Sequence, residues 1–156
     1  ECGIEATVNS GREDLKDAVM SWTGGKGARI VVEAIGISEV ICEVALLTRQ
    51  YGELILLGSP RARATIDVTP MLLHVHLEAI RMIGALEWRW PSHESGRHRS
   101  LLDNYRQILD WIDEGRLITD PLLTHLASPA DCQIIYEGLT QRREEYLSAV
   151  FDWSVV

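Results

Sequence analysis

Cysteine is scarce: Cys2, Cys42 and Cys132 are three in number, lie far apart and form no C-x-x-C pair. An odd, scattered set encodes neither a disulfide framework nor a thiolate zinc site, and fits a reducing cytoplasm. Cationic charge is also thin, with 15 Lys and Arg against 23 Asp and Glu and a formal charge of -8. With no basic stripe in the chain, a nucleic-acid partner is not expected. No apolar run reaches the roughly 20 residues that a membrane-spanning helix needs, so no membrane association is expected. The opening Glu1-Cys2-Gly3-Ile4-Glu5 has no charged stretch followed by an apolar one, so no export signal is read there.

What the chain does have is a core. Of 156 residues, 46% are hydrophobic and 24% charged, the balance of one soluble globular domain. Leu15, Ala18, Val19 and Trp22 recur at helical spacing within Ser10 to Trp22, and Thr23 to Gly27 breaks that helix. Ala28 to Gly36 reads as a buried strand closing on glycine. Ser38 is placed to cap a helix through Leu47, with Gly52 as its left-handed terminator, and Glu53 to Gly58 follows as a second strand. A helix opening at Thr69-Pro70 precedes a third strand, Ala79 to Leu86. Nearly continuous apolar strands alternating with helices predict an α/β chain with a parallel, doubly wound sheet covered on both faces. Further on, Arg99 to Glu114 reads as a long amphipathic helix ending at Gly115, Leu122 to Leu126 as a short strand, Ser128-Pro129 as a helix start, and Tyr146 to Trp153 as a final strand. No repeat or linker interrupts the series, so residues 1–156 are read as one domain.

The familiar chemical motifs fail on inspection. Thr23-Gly24-Gly25-Lys26-Gly27 lacks the earlier glycine and the following Ser or Thr of a phosphate loop, and it precedes a strand where such a loop follows one. Gly25-x-Gly27 has Ile30 where the dinucleotide fingerprint needs its third glycine. His74, His76, His93, His98 and His125 join no metal-ligand pattern, and Ser59 stands in no nucleophile elbow. No catalytic residue and no metal ligand is assigned.

Position is more informative. In open parallel sheets ligands bind beyond the carboxyl ends of the strands, and those ends carry Ala34-Ile35-Gly36, Gly58-Ser59-Pro60 and Gly84-Ala85-Leu86. Glycine there admits a flat cofactor close to the backbone, although it also simply forms turns. Trp88-Arg89-Trp90-Pro91, if extended, sets two indoles on one side, suited to a substrate pocket, a subunit contact or plain core packing. Gln141 to Glu145 reads as a solvated, mixed-charge face.

Taken in order, Cys2 to Ser10, Val32-Glu33-Ala34-Ile35-Gly36, Tyr51 to Gly58, Arg81 to Ala85, Asp113 to Leu117, Pro121 to His125 and Ala130 to Leu139 resemble the C-terminal half of the medium-chain dehydrogenase/reductases, the zinc-type alcohol dehydrogenase superfamily. The resemblance runs over essentially the whole chain, through order and spacing rather than through one diagnostic motif. It implies a partial Rossmann fold with a preceding first strand, glycine fingerprint and zinc-bearing GroES-like domain expected ahead of Glu1. It implies NAD or NADP as cofactor of the intact enzyme, weakly held by these residues alone, with zinc supplied only by that other domain. Ala34, Ile35 and Gly36 are then expected near the adenine-side ribose, and Leu57, Gly58, Ser59, Gly84, Ala85 and Leu86 near the nicotinamide. Where some members place a phosphate-binding arginine before the last strand, this chain has Tyr146-Leu147. The Trp88 segment is nearer to polyol and threonine dehydrogenase-like members. The strand edges at Arg29 to Ile35 and Ile80 to Leu86 are expected to be adhesive, giving a homo-oligomer. The alternative to a dehydrogenase portion is a freestanding, non-catalytic self-association or protein-binding module derived from the same fold.

Overall fold

The computed structural model describes residues 4–93 and 100–155. Ala6–Trp90 form one compact unit, and the residues from Pro91 onward, with those before Ala6, form a second.

The first unit alternates helix and strand. Asp14 caps α1 (Leu15–Trp22) by accepting the Asp17 N–H, so this helix starts five residues later than its apolar spacing suggested. After it come β1 (Ala28–Glu33), α2 (Ser38–Ala45), β2 (Thr48–Leu56), α3 (Thr69–Leu77) and β3 (Arg81–Gly84). The strands form a parallel sheet in the order β1-β2-β3, with Val31 opposite Leu54 and Leu54 opposite Met82. This is a mixed α/β arrangement of parallel strands with flanking helices, a partial Rossmann-like fold.

Parallel register sets aligned residues on one face, and the two faces here differ. Val31, Leu54 and Leu56 point to the side where Val44 and Ala45 of α2, Met71 and Val75 of α3, and Ile80 pack around them; Leu54 and Ala45 are fully buried. The opposite face carries Ile30 and Val32, 54% and 52% exposed, and the Glu53–Arg81 ion pair at 2.8 Å. Within this unit the expectation of a sheet whose strands are buried on both faces therefore holds for one face only.

Several boundaries differ from expectation. Gly52 terminates no helix: it lies within β2, where a Cβ would sit 2.9 Å from the Arg29 carbonyl oxygen, so close strand approach selects glycine there. The left-handed residues nearby are Tyr51 (φ 58°) and Ala79 (φ 52°), with the Tyr51 N–H donating to the Glu78 carbonyl at 2.8 Å. α2 begins at Ser38 itself, with Ile37 in the cap position. The third strand is four residues long rather than eight. The chain after it closes into a 3-10 turn, Glu87–Arg89, so Trp88 and Trp90 are not presented by an extended backbone. Ile4 to Asn9 form no strand.

In the second unit, α4 (Leu101–Asp113) opens with a capping box. The Ser100 hydroxyl accepts the Asp103 N–H at 3.1 Å, and the Asp103 carboxylate accepts from the Ser100 N–H and hydroxyl. The expected start at Arg99 lies outside the described residues. β4 (His125–Ala127) pairs in parallel with β5 (Ala149–Phe151), and α5 (Cys132–Gln141) connects them. The Thr124 hydroxyl ties this pair together by donating to the Ser148 carbonyl and accepting the Leu147 and Ser148 N–H groups. Tyr146 stacks on His125 at 3.7 Å and meets the Arg142 guanidinium, which also pairs with Glu145 at 3.4 Å. The charged run at 141–145 is thus an exposed, internally paired face.

Candidate cofactor site at the strand ends

The first unit's strands end side by side, and the backbone binds the three ends together. The Leu57 and Gly58 N–H groups both donate to the Glu33 carbonyl, at 2.9 and 2.8 Å, and the Ala85 N–H donates to the Leu56 carbonyl at 3.0 Å. These bonds carry the parallel ladder past the last residues of β1 and β2 into the turns that follow.

Glu33 contributes a second tie. The residue is only 3% exposed, and one carboxylate oxygen, Oε1, accepts the N–H groups of Ile35 and Gly36 at 2.7 and 2.8 Å. One residue therefore holds its own turn through the side chain and the neighbouring turn through the main chain. The other oxygen, Oε2, is buried with no hydrogen-bond partner. Carboxylates accepting backbone N–H groups make the stronger class of hydrogen bond, which offsets part of the cost of burying this group.

Glycine makes the close approach of the turns possible. A Cβ on Gly58 would lie 2.3 Å from the Gly36 nitrogen, and one on Gly36 (φ +78°) would lie 2.5 Å from the Ser59 carbonyl oxygen. Both turns are in backbone-to-backbone contact, and neither has room for a side chain. Gly84 differs: a Cβ there would meet nothing within 4 Å, so it faces open space.

Two hollows result. One, of about 530 Å³, is lined by Ala34, Ile35 and Gly36 from the first turn and by Leu57, Gly58, Ser59 and Arg61. The other, of about 380 Å³, is lined by the 56–60 segment, by Gly84, Ala85 and Leu86, and by Arg89. Leu57, Gly58 and Ser59 belong to both, so the hollows adjoin along the end of β2. All nine residues singled out from the sequence line this pair. Glu33, Arg61 and Arg89 escaped that reading. A lone acid ending an apolar run is the available signal for Glu33, since a charge inside a buried strand must find partners.

Among the described residues no group of three or more His, Cys, Asp and Glu side chains comes together that could hold a metal ion. His74 and His76 lie on α3, and the His74 Nε2 contacts the Thr48 carbonyl at 2.9 Å, a structural bond between helix and sheet. No described helix is long and apolar enough to cross a membrane.

Comparison with known proteins bears on the fold and the family. An erythritol/L-threitol dehydrogenase of Mycolicibacterium smegmatis is 27% identical over 131 residues, 74% of this chain and 35% of that protein. An L-threonine 3-dehydrogenase of Bacillus velezensis is 22% identical over 123 residues, 79% of this chain and 31% of that protein. The chain thus spans about a third of the length of the curated relatives it matches. Among solved structures, an Escherichia coli oxidoreductase/dehydrogenase of unknown specificity superposes with a TM-score of 0.76 at 18% identity, over 97% of this chain and 38% of that one. A short chain alcohol dehydrogenase from E. coli CFT073, complexed with NADH, gives a TM-score of 0.72 at 11% identity, over 97% of this chain and 39% of that one. The sequence pattern of the zinc-binding dehydrogenases matches residues 1–94, and the chain belongs to that family.

Proposed function

We propose that these residues are the cofactor-binding portion of an NAD(P)-dependent alcohol or polyol dehydrogenase, with the dinucleotide laid across the strand ends. The observation that carries this reading is the pair of adjoining hollows, whose shared wall is the end of β2 and whose outer walls are the ends of β1 and β3. Ligand sites of open parallel sheets lie there. The residues fit such a group: the turns after β1 and β2 line the hollows with backbone and small or apolar side chains, and Gly84 faces open space where a flat ring can lie. In this arrangement Ala34, Ile35 and Gly36 bind the ribose on the adenine side, and Leu57, Gly58, Ser59, Gly84, Ala85 and Leu86 hold the nicotinamide. The cofactor, when bound, supplies the hydride acceptor or donor. The chain's own work is to orient it: Glu33 fixes the turn at 34–36, and the Leu57 and Leu86 side chains shield the ring's surroundings from water. These residues do not fit a zinc site, and no step through zinc is assigned to them.

We assign the intact protein to the reducing cytoplasm, in keeping with free Cys42 and Cys132. Self-association is the second reading, favoured by the exposed Ile30 and Val32 on β1 and by the outer edges of β1 and β3. The two readings separate by experiment. NADH and NADPH are titrated into the intact protein by fluorescence, and alcohol-dependent reduction of NAD or NADP is followed. Saturable binding with turnover supports the dehydrogenase. A protein that self-associates but binds neither dinucleotide contradicts it.

A further inference from the structure

Among the described residues, Arg61 and Arg89 are the charged ones lining the two hollows, and no described acid lines either, in a chain whose net charge is -8. Four of the described arginines sit against carboxylates: Arg81 with Glu53, Arg106 with Asp103, Arg116 with Glu114 and Arg142 with Glu145. Arg89 has no such partner among the described residues. It is the last residue of the 3-10 turn after β3, and its N–H donates to the Leu86 carbonyl at 3.2 Å. That turn brings the chain back to the wall made by the 56–60 segment and Gly84, Ala85 and Leu86. Apart from the Ser59 hydroxyl, the side chains around Arg89 in this hollow are apolar or absent.

We propose that Arg89 is a specificity-determining residue that receives an anionic group of the substrate, so that the intact enzyme acts on a phosphorylated or carboxylated alcohol in preference to a neutral one. The proposal rests on the reading of the strand ends as the dinucleotide site. A guanidinium presents a planar fork that matches phosphate and carboxylate two-pronged, and an apolar wall strengthens that pairing by thinning the solvent around it. A neutral alcohol leaves this cation unmatched. With the dinucleotide across the strand ends, the nicotinamide lies in the Arg89 hollow, and its oxidised ring is itself positively charged. Two cations in one hollow repel, and an anion between them relieves the repulsion. The cofactor's phosphates do not compete for Arg89 in this arrangement, because they lie away from the reacting ring.

The test uses the intact protein saturated with NAD, or with NADP if that is the dinucleotide it binds. Inorganic phosphate and acetate are titrated in by calorimetry, and kcat/KM is compared for sugar alcohols and their monophosphates. Phosphate is expected to bind, and Arg89→Ala to weaken it about tenfold or more, the scale of losing hydrogen bonds to a charged group. Arg89→Lys is expected to recover part of the binding, and Arg63→Ala, at an exposed residue outside both linings, to change nothing. The monophosphates should be the better substrates, with the Arg89→Ala loss falling on KM. Absence of binding by both anions, binding unchanged in Arg89→Ala, or equal use of neutral and phosphorylated alcohols overturns the proposal. So does an Arg89→Ala variant whose dinucleotide affinity falls as far as its phosphate affinity, since the cation then serves the cofactor. Failure of the wild type to bind either dinucleotide overturns the cofactor reading and this one together, whereas normal dinucleotide binding without an effect of Arg89 overturns this one alone.

Discussion

Removing the Glu33 side chain tests whether one buried carboxylate holds the site together. In Glu33→Ala the Gly36 N–H loses a buried acceptor and the Ile35 N–H a half-buried one. Two hydrogen bonds to a charged acceptor contribute about 3–6 kcal/mol together, counted at ~1.5–3 each. Against this, the substitution removes Oε2, whose burial without a partner costs about 1–3 kcal/mol. Taken at the midpoints of these ranges, the net loss is about 2.5 kcal/mol, or roughly 1 M in urea midpoint at a slope near 2 kcal/mol/M. Glu33→Gln keeps an acceptor for both N–H groups but sets an unpartnered amide where Oε2 was, so its loss should be smaller and still measurable. Because the freed turn is the one carrying Ala34, Ile35 and Gly36, NADH affinity should fall in both variants in the order of their stability losses. Urea unfolding followed by circular dichroism and NADH fluorescence titration read the two effects. A Glu33→Ala protein within about 0.5 kcal/mol of the parent would refute the assignment of the turn to this carboxylate.

Glycines at the strand ends separate packing from binding. Gly58→Ala forces a Cβ to 2.3 Å from the Gly36 nitrogen and should cost more than about 3 kcal/mol, seen as a large drop in melting temperature. Gly84→Ala meets nothing within 4 Å, so melting should stay within a few degrees of the parent while NADH affinity falls, because the new methyl occupies the floor where the ring is placed. At α4, the hydrogen bond from the Ser100 hydroxyl holds the Asp103 carboxyl below its ordinary value of 3.8, with the Ser100 N–H and Arg106 adding to the effect against desolvation. A pKa depressed by folding makes the capping contribution complete above 3.8 and lost as pH falls through the lower folded value. Carbon-detected NMR titration should show this, and Ser100→Ala should return the Asp103 midpoint toward 3.8. Bare strand edges predict self-association of these 156 residues, and a monodisperse monomer at micromolar concentration by light scattering would contradict it.

Much of this architecture is legible in the sequence because local signals agree with one another. The apolar stripe from Leu101 to Ile112 coincides with a terminal glycine, and the helix forms within two residues of the expected limits, its Ser100 cap being seen only in the structure. The parallel strands announce themselves as β-branched runs closing on glycine, and strand-end position alone gathers nine residues around two adjoining hollows. What escaped depends on distant contacts. Gly52 looks like a helix terminator in sequence, but its neighbour across the sheet, Arg29, decides its role. Tyr51 and Ala79 adopt left-handed backbone that no local preference announces. Trp88-Arg89-Trp90 carries β-forming indoles, yet the chain folds into a 3-10 turn, and only that turn brings Arg89 to the hollow. Glu33 reads as a polar strand end until the two N–H groups it accepts are seen.

Hydrogen exchange of the intact protein with and without saturating NADH, read by mass spectrometry, tests the strand-end site most directly. The account predicts added protection in peptides covering residues 33–37, 56–60 and 84–89, and little change in α4 or β5. Binding that protects other segments while leaving these three unchanged would contradict it.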